Sequence, residues 1–125
     1  TLGVSFIASG YSSKPKDLAN IISTAMEHPG FSVVHVASPC TTYNDTYEQL
    51  KGNASKGIEP MAWSIPDDHN VEDKAKAKKL IDRGGVPLGI IYQDTSRPPL
   101  EVQIDALPQK AKVNEVATLL DTFDL

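Results

Sequence analysis

The segment FSVVHVASPCTTYN, residues 31–44, indicates the fold of this chain. It begins with apolar, mostly β-branched residues, which are typical of a buried strand, and continues through Ser38 and Pro39 into a polar loop. Cys40, the only cysteine, therefore stands just beyond the end of a strand. Ligands of open α/β sheets bind beyond the carboxyl ends of the strands, so Cys40 is a candidate ligand or nucleophile. The alternative is an inert core thiol, since free cysteine is among the most buried residue types.

The residues around this segment predict an α/β fold. Residues 4–8 form an apolar run typical of a strand, and residues 86–92 form another. Between the first two strands, apolar residues recur at three- and four-residue steps and predict an amphipathic helix: Leu18, Ile21, Ile22, Ala25 and Met26. A strand, a helix and a strand in this order predict a right-handed β-α-β unit with parallel strands. We therefore expect a Rossmann-like open parallel sheet.

The later segments predict further helices and an ordered loop. Asp45 and Glu48 have the spacing of a capping box and predict a short helix. Residues 58–68 contain two prolines and no sustained period, which predicts an ordered loop, and residues 72–83 predict a lysine-rich helix. Alternating apolar and polar residues predict a half-exposed extended segment at residues 100–105. A final helix is predicted from apolar residues at helical spacing: Val113, Val116, Ala117, Leu120 and Phe123.

The composition excludes several classes of function. With 125 residues the chain has the length of one domain, and its net charge of -4 argues against a nucleic-acid partner, which would need a basic surface. It has no long apolar run, which argues against a membrane partner. One cysteine cannot form an internal disulfide, so we expect a reducing, cytoplasmic location. The chain opens in an apolar run without an initiator methionine, and we expect it to be part of a longer one.

Two polar segments are candidate ligand sites. The loop GYSSKPK carries Lys14 and Lys16 at the start of the first predicted helix, where free N–H groups can hold an anion. The alternative is a capped helix with solvated lysines. Asp67, Asp68 and His69 could form a metal or acid-base cluster, but acidic residues are also what a helix N-terminus collects. We favour the structural interpretation for both segments.

The motif SPCTTYN, residues 38–44, followed directly by DTYE, closely resembles the β subunit of the thiamine-dependent 2-oxoacid:ferredoxin oxidoreductases. Three further stretches resemble that subunit in the same order: residues 5–22, 27–40 and 86–101. The resemblance covers most of the chain and corresponds to the C-terminal part of the subunit. It implies that residues 1–92 are the C-terminal part of a thiamine diphosphate-binding α/β domain and residues 93–125 a C-terminal extension with the final helix.

The resemblance also implies a chemistry. Such enzymes decarboxylate a 2-oxoacid on thiamine diphosphate held by Mg²⁺, pass electrons through an iron-sulfur cluster to ferredoxin and release an acyl-coenzyme A. In members with a single cluster in this subunit, the cysteine of the SPC motif is the last of four ligands of a [4Fe-4S] centre, which implies that Cys40 is a metal ligand. The other cysteines and the Gly-Asp-Gly motif of the family lie upstream of the matching region. We therefore expect no catalytic residue in this chain, and no activity from it alone.

The partners and the substrate follow from the same resemblance. The implied partners are the upstream part of the same subunit, an α subunit in a heterodimer, ferredoxin, coenzyme A and the 2-oxoacid. Lys14 and Lys16 lie in the loop that the resemblance would place near the coenzyme A entrance. The residues that follow Cys40 are more similar to the 2-oxoglutarate branch, with pyruvate as an alternative substrate. A different alternative is a non-catalytic α/β interaction domain in which Cys40 is a buried core thiol.

Overall fold

Four strands of the chain form one open sheet. The computed structural model describes residues 3–106. The strands are β1 (Phe6–Tyr11), β2 (Ser32–Ala37), β3 (Ala62–Ser64) and β4 (Val86–Gln93). The α-helices are α1 (Pro15–Glu27), α2 (Tyr47–Lys51), α3 (Lys74–Asp82) and α4 (Leu100–Asp105), and a 3₁₀ turn spans Ala54–Lys56. No helix among the described residues is long and apolar enough to cross a membrane.

The sheet has the order β2-β1-β4-β3 and is mixed. β1 and β2 are parallel and are joined through α1, as predicted for a β-α-β unit. β3 and β4 are also parallel and are joined through α3. The two units meet at the β1–β4 pair, which is antiparallel. The α/β class and the open sheet are confirmed, and the single antiparallel pair makes the sheet mostly rather than wholly parallel.

Two clusters of buried side chains hold the sheet and its helices together. The first contains Phe6 and Ala8 of β1, both completely buried, with Ile21 of α1 packed on them. The second contains Tyr11, Ala37 and Leu50, where the ends of β1 and β2 meet α2. Burial of apolar area of this kind is the main source of stability in a domain. Ala37 of the second cluster is the last residue of β2, three residues before Cys40.

β2 is more exposed than the sequence predicts. Among the described residues it pairs only with β1, so it forms an edge of the sheet. Val33 and Val36 keep 39% and 40% of their surface exposed, and Phe31 just before the strand keeps 69%. The prediction that β2 is a buried strand is therefore wrong within residues 3–106, because β2 has no second neighbouring strand there to cover it. An apolar edge of this kind is suited to pairing with another segment.

Three local predictions are corrected by the structure. The predicted loop 58–68 contains β3, which pairs with β4 over three residues, a length too short for a visible alternation. Residues 100–105 form α4 rather than an extended segment. The alternation of apolar and polar residues is misleading here, because the apolar residues of α4 are exposed and do not mark a buried face. The capping box is also wrong, since α2 begins at Tyr47 without a side-chain cap and the Glu48 carboxylate binds Lys56 instead. The predicted final helix lies outside the described residues.

Candidate functional site

The carboxyl ends of β1 and β2 lie side by side and carry the candidate site. β2 ends at Ala37, and Cys40 follows in a tight loop. Cys40 N–H donates to Asn44 O at 3.2 Å, and Asn44 N–H donates to Cys40 O at 2.9 Å, so two backbone hydrogen bonds close the loop. This closure fixes the intervening backbone. The predicted position of Cys40 just beyond a strand end is confirmed.

The thiol of Cys40 is exposed, and the backbone of its own loop lowers its pKa. Hydrogen bonding from the backbone, first of Tyr43 and then of Thr42, lowers the pKa of Cys40 below its usual value, with a smaller contribution from Asn44. Partial loss of hydration and the Asp45 carboxylate raise the pKa, but by less. The loop therefore favours the thiolate, which is the form that binds metals and reacts with electrophiles. The alternative of a buried core thiol is wrong.

The donor set fits a single ligand of a shared metal centre. A thiolate that accepts backbone N–H groups is the usual ligand of iron-sulfur clusters, and such hydrogen bonds tune the cluster potential. Within residues 3–106 no group of three or more His, Cys, Asp or Glu side chains could hold a metal ion. Cys40 could therefore complete a cluster only with ligands from elsewhere.

α3 is capped by Asp73, an acidic residue that follows the predicted Asp67, Asp68 and His69 cluster. Asp73 is the N-cap of α3, and its carboxylate accepts hydrogen bonds from the N–H groups of Ala75 and Lys76. These hydrogen bonds, above all that from Lys76, lower the pKa of Asp73. The ring Nε2 of His69 lies 2.9 Å from the carbonyl oxygen of Ile91. Asp67 and Asp68 lie in a turn before α3, so the interpretation of these two residues as part of a helix N-terminus is wrong, because the helix begins later, at Lys74.

Lys14 and Lys16 lie at the same edge of the sheet as Cys40. Lys14 is the N-cap residue of α1 and makes no side-chain capping bond, and both lysines are exposed. The α1 loop is linked to the α2 region because the Ser13 hydroxyl donates to Tyr47 Oη at 3.1 Å. The structure thus brings both candidate segments to one edge and joins them through Tyr47.

Two tyrosines at this edge were not singled out from the sequence as site residues. Tyr11, the last residue of β1, is 5% exposed, and its hydroxyl is buried with no hydrogen-bond partner among the described residues. The rings of Tyr11 and Tyr47 lie 6.2 Å apart. In the sequence, Tyr11 is indistinguishable from an ordinary core residue at the end of a strand. Only the structure shows that its hydroxyl is buried without a hydrogen-bond partner among the described residues. The edge therefore combines an exposed thiol, two lysines and a buried phenol.

Comparison with known proteins assigns the chain to a family. The model of the C-terminal region of the pyruvate ferredoxin oxidoreductase β subunit matches residues 40–109, more than half of the chain. The chain belongs to the 2-oxoacid:ferredoxin oxidoreductase β-subunit family. The match begins at Cys40 and includes the loop just described. The expected C-terminal region of this subunit is confirmed.

Curated relatives of this family agree with the assignment. The chain is 31% identical over 113 residues to subunit β of 2-oxoacid:ferredoxin oxidoreductase 2 from Aeropyrum pernix, covering 84% of the chain and 36% of the relative. It is 32% identical over 111 residues to the corresponding Sulfolobus sp. subunit, covering 83% and 36%. The chain thus spans about a third of the length of these relatives, which are subunits of enzymes.

A solved structure shares the fold. It is the 2-oxoglutarate:ferredoxin oxidoreductase from Magnetococcus marinus with 2-oxoglutarate, coenzyme A and succinyl-CoA bound. The likeness has a TM-score of 0.71 and 29% identity, and it covers 94% of this chain and 40% of the other. The α/β fold described above is therefore that of a 2-oxoacid:ferredoxin oxidoreductase subunit.

Proposed function

We propose that this chain is the C-terminal part of the β subunit of a cytoplasmic 2-oxoglutarate:ferredoxin oxidoreductase. The complex oxidatively decarboxylates the 2-oxoacid and forms an acyl-coenzyme A, while electrons pass to ferredoxin. Thiamine diphosphate with Mg²⁺ would supply the carbanion chemistry when bound in the upstream part of the subunit. Family membership and the enzyme relatives support the reaction class.

In this proposal Cys40 is the fourth thiolate ligand of a [4Fe-4S] cluster. The observation that carries it is the exposed thiol of Cys40 just beyond the end of β2, in a loop that two backbone hydrogen bonds between Cys40 and Asn44 close. Backbone N–H groups of Tyr43 and Thr42 also lower the pKa of this thiol. These donors stabilise negative charge on sulfur, which favours the thiolate needed for ligation and moves the cluster potential upward. Since one thiolate cannot hold a cluster, the other three come from the upstream part. The chain alone is then inactive.

The substrate assignment rests on two supports. The TTYN and DTYE residues are similar to the 2-oxoglutarate branch, and the solved relative is a 2-oxoglutarate enzyme. The competing substrate is pyruvate, which the matching family description names. Initial rates of ferredoxin reduction by the complete heterodimeric complex, with either 2-oxoacid, decide between them. We expect a higher kcat/KM for 2-oxoglutarate, and a higher value for pyruvate would contradict this assignment.

We also propose that Lys14 and Lys16 attract the phosphate groups of coenzyme A. Both side chains are exposed at the start of α1, where helix N–H groups and lysines together favour anions. The double variant Lys14→Glu/Lys16→Glu should raise the KM for coenzyme A about tenfold, because charge-assisted contacts contribute about 1.5 kcal/mol or more. Lys79→Glu on α3 is the control. An unchanged KM in the double variant would contradict the role.

A further inference from the structure

The edge of the sheet formed by β3 carries a stacked pair of side chains. The indole Nε1–H of Trp63 donates to Gly84 O at 3.0 Å, and the Arg83 guanidinium lies 4.1 Å from the centroid of the Trp63 ring. The ring attracts the cation over its face, so both side chains are held in place. Met61, just before β3, keeps 49% of its surface exposed. This edge therefore presents the residue types that are enriched in protein interfaces.

A row of cations along α3 leads to this pair. Lys76, Lys79 and Arg83 follow one another at three- and four-residue steps, so they share one face of the helix, and all three are exposed. None of them forms a salt bridge with another residue in the range 3–106, whereas Lys78 is paired with Asp82 at 2.9 Å. The three charges are therefore available to a partner.

This concentration of positive charge contrasts with the chain as a whole. Residues 74–83 carry five basic residues and one acidic residue, a net charge of +4, within a chain whose net charge is -4. The acidic residues between β3 and α3 all precede the first turn of the helix: Asp67, Asp68, Glu72 and Asp73. The later turns of α3 are thus a cationic surface on an acidic chain. Such a surface is complementary to an acidic protein.

The cationic surface lies at the end of the sheet that carries Cys40. β4 is antiparallel to β1, so β4 and its parallel neighbour β3 begin where β1 and β2 stop. The first residues of β3 and β4, Ala62 and Val86, pack on the cluster that contains Tyr11. Three strand spacings separate β2 from β3, about 14 Å at roughly 4.8 Å each. A protein bound at Trp63 would therefore lie close to a metal centre at Cys40.

We propose that an acidic electron-acceptor protein docks on the Trp63 surface, which consists of Met61, Trp63, Lys76, Lys79 and Arg83. The inference rests on the proposed function, in which electrons leave the complex on ferredoxin. The cations steer the acidic partner to this surface, and Trp63 and Met61 supply the apolar contact that orients it. Each encounter oxidises the complex by one electron and reduces the ferredoxin by one electron.

The test measures the binding of oxidised ferredoxin to the complete complex without substrate, by isothermal titration calorimetry. Lys76→Glu/Lys79→Glu should raise the Kd about tenfold at about 0.15 M salt, where screening confines charge effects to about 8 Å. The matched control Lys74→Glu/Lys78→Glu reverses two charges on another side of the same helix and should change the Kd less than about twofold. The Kd of the native complex should also rise more steeply with salt than that of Lys76→Glu/Lys79→Glu.

Each other outcome contradicts the proposal. An unchanged Kd in Lys76→Glu/Lys79→Glu, or no binding to the native complex, would mean that the acceptor does not dock here. An equal rise in the control would mean that only overall charge matters. If the double variant does not fold, Lys76→Gln/Lys79→Gln should give a smaller rise, and no rise would overturn the docking. Because binding needs no turnover, a complex that binds ferredoxin here but oxidises neither 2-oxoacid would overturn the proposed function alone.

The Trp63 surface and the lysines of α1 should respond independently. With methyl viologen as the acceptor, a small dye that needs no docking surface, Lys79→Glu should leave the KM for coenzyme A unchanged. Lys14→Glu/Lys16→Glu should change the Kd for ferredoxin less than about twofold, because these lysines lie on a different helix. A rise as large as that in Lys76→Glu/Lys79→Glu would contradict the assignment of docking to the Trp63 surface.

Discussion

The two ends of the β1–β2 pair differ in what their buried groups contact. At the amino end, Ser5 Oγ lies 2.8 Å from His28 Nε2 and 3.3 Å from the carbonyl oxygen of Phe31, so helix, strand and loop are tied together. Gly30 packs directly on this pair. His28 Nδ1 is the buried atom at this end without a partner among the described residues. The amino end is fixed by contacts within the chain.

At the carboxyl end the reactive groups are left available. Cys40 is exposed, two backbone hydrogen bonds with Asn44 close its loop, and the Tyr11 hydroxyl has no partner among residues 3–106. The tightly packed amino end of the β1–β2 pair thus supports a carboxyl end whose groups can bind partners from outside the chain. We therefore expect substitutions at the amino end to change stability and substitutions at the carboxyl end to change chemistry.

The largest stability effect is expected for Gly30→Ala. A Cβ at this position would overlap the Ser5 hydroxyl and lie 3.0 Å from His28 Nε2. Overpacking of this kind should lower the opening free energy of the β1 amides by about 3 kcal/mol, measured by hydrogen exchange in the complete subunit. Gly57→Ala is the control, since a Cβ added there would have no heavy atom within 4 Å apart from its chain neighbours. Only the φ of 66° at this position adds strain, about 1 kcal/mol. Equal effects of the two variants would contradict the account of the amino end.

A smaller effect is expected for Ser5→Ala. The variant removes a buried hydroxyl and leaves His28 Nε2 without its partner, so the same opening free energy should fall by about 2 kcal/mol. Tyr11→Phe is the matched variant at the carboxyl end, because it also removes a buried hydroxyl but breaks no hydrogen bond among the described residues. It should change the opening free energy by less than about 0.5 kcal/mol. A loss at Tyr11 as large as that at Ser5 would remove the contrast between the ends.

The smallest effect is expected in the pH dependence of alkylation of the Cys40 thiol. Backbone N–H donors lower the pKa of the folded thiol below 9.0, so alkylation by iodoacetamide in the cluster-free subunit should reach half its maximum at a lower pH than for an ordinary thiol. Ser55→Cys in a Cys40→Ser background provides that ordinary exposed thiol. Because the pKa of this thiol is lower in the folded state than in the unfolded state, the thiolate stabilises the fold at pH values above the ordinary pKa. This stabilisation is lost as the pH falls through the lowered pKa. Coincident profiles for the two thiols would refute the role of the loop.

The sequence predicts those features that depend on local pattern. The helical period of α1 and the apolar run of β2 identify the β-α-β unit, and the strand end locates Cys40. The exposure of Val33 and the antiparallel β4 could not be predicted, because strand neighbours and orientation are decided by distant parts of the chain. The lowered pKa of Cys40 depends on the backbone of a loop that closes between Cys40 and Asn44, which no residue type alone specifies.

The central claim is that Cys40 ligates an iron-sulfur cluster that the upstream part shares. The most direct measurement is the iron content of the purified complex, together with the EPR spectrum of its reduced cluster, for Cys40→Ala and for the control Ser38→Ala. The account predicts loss of iron and of the native EPR signal in Cys40→Ala, with both retained in Ser38→Ala. Full iron content with an unchanged EPR spectrum in Cys40→Ala would contradict it.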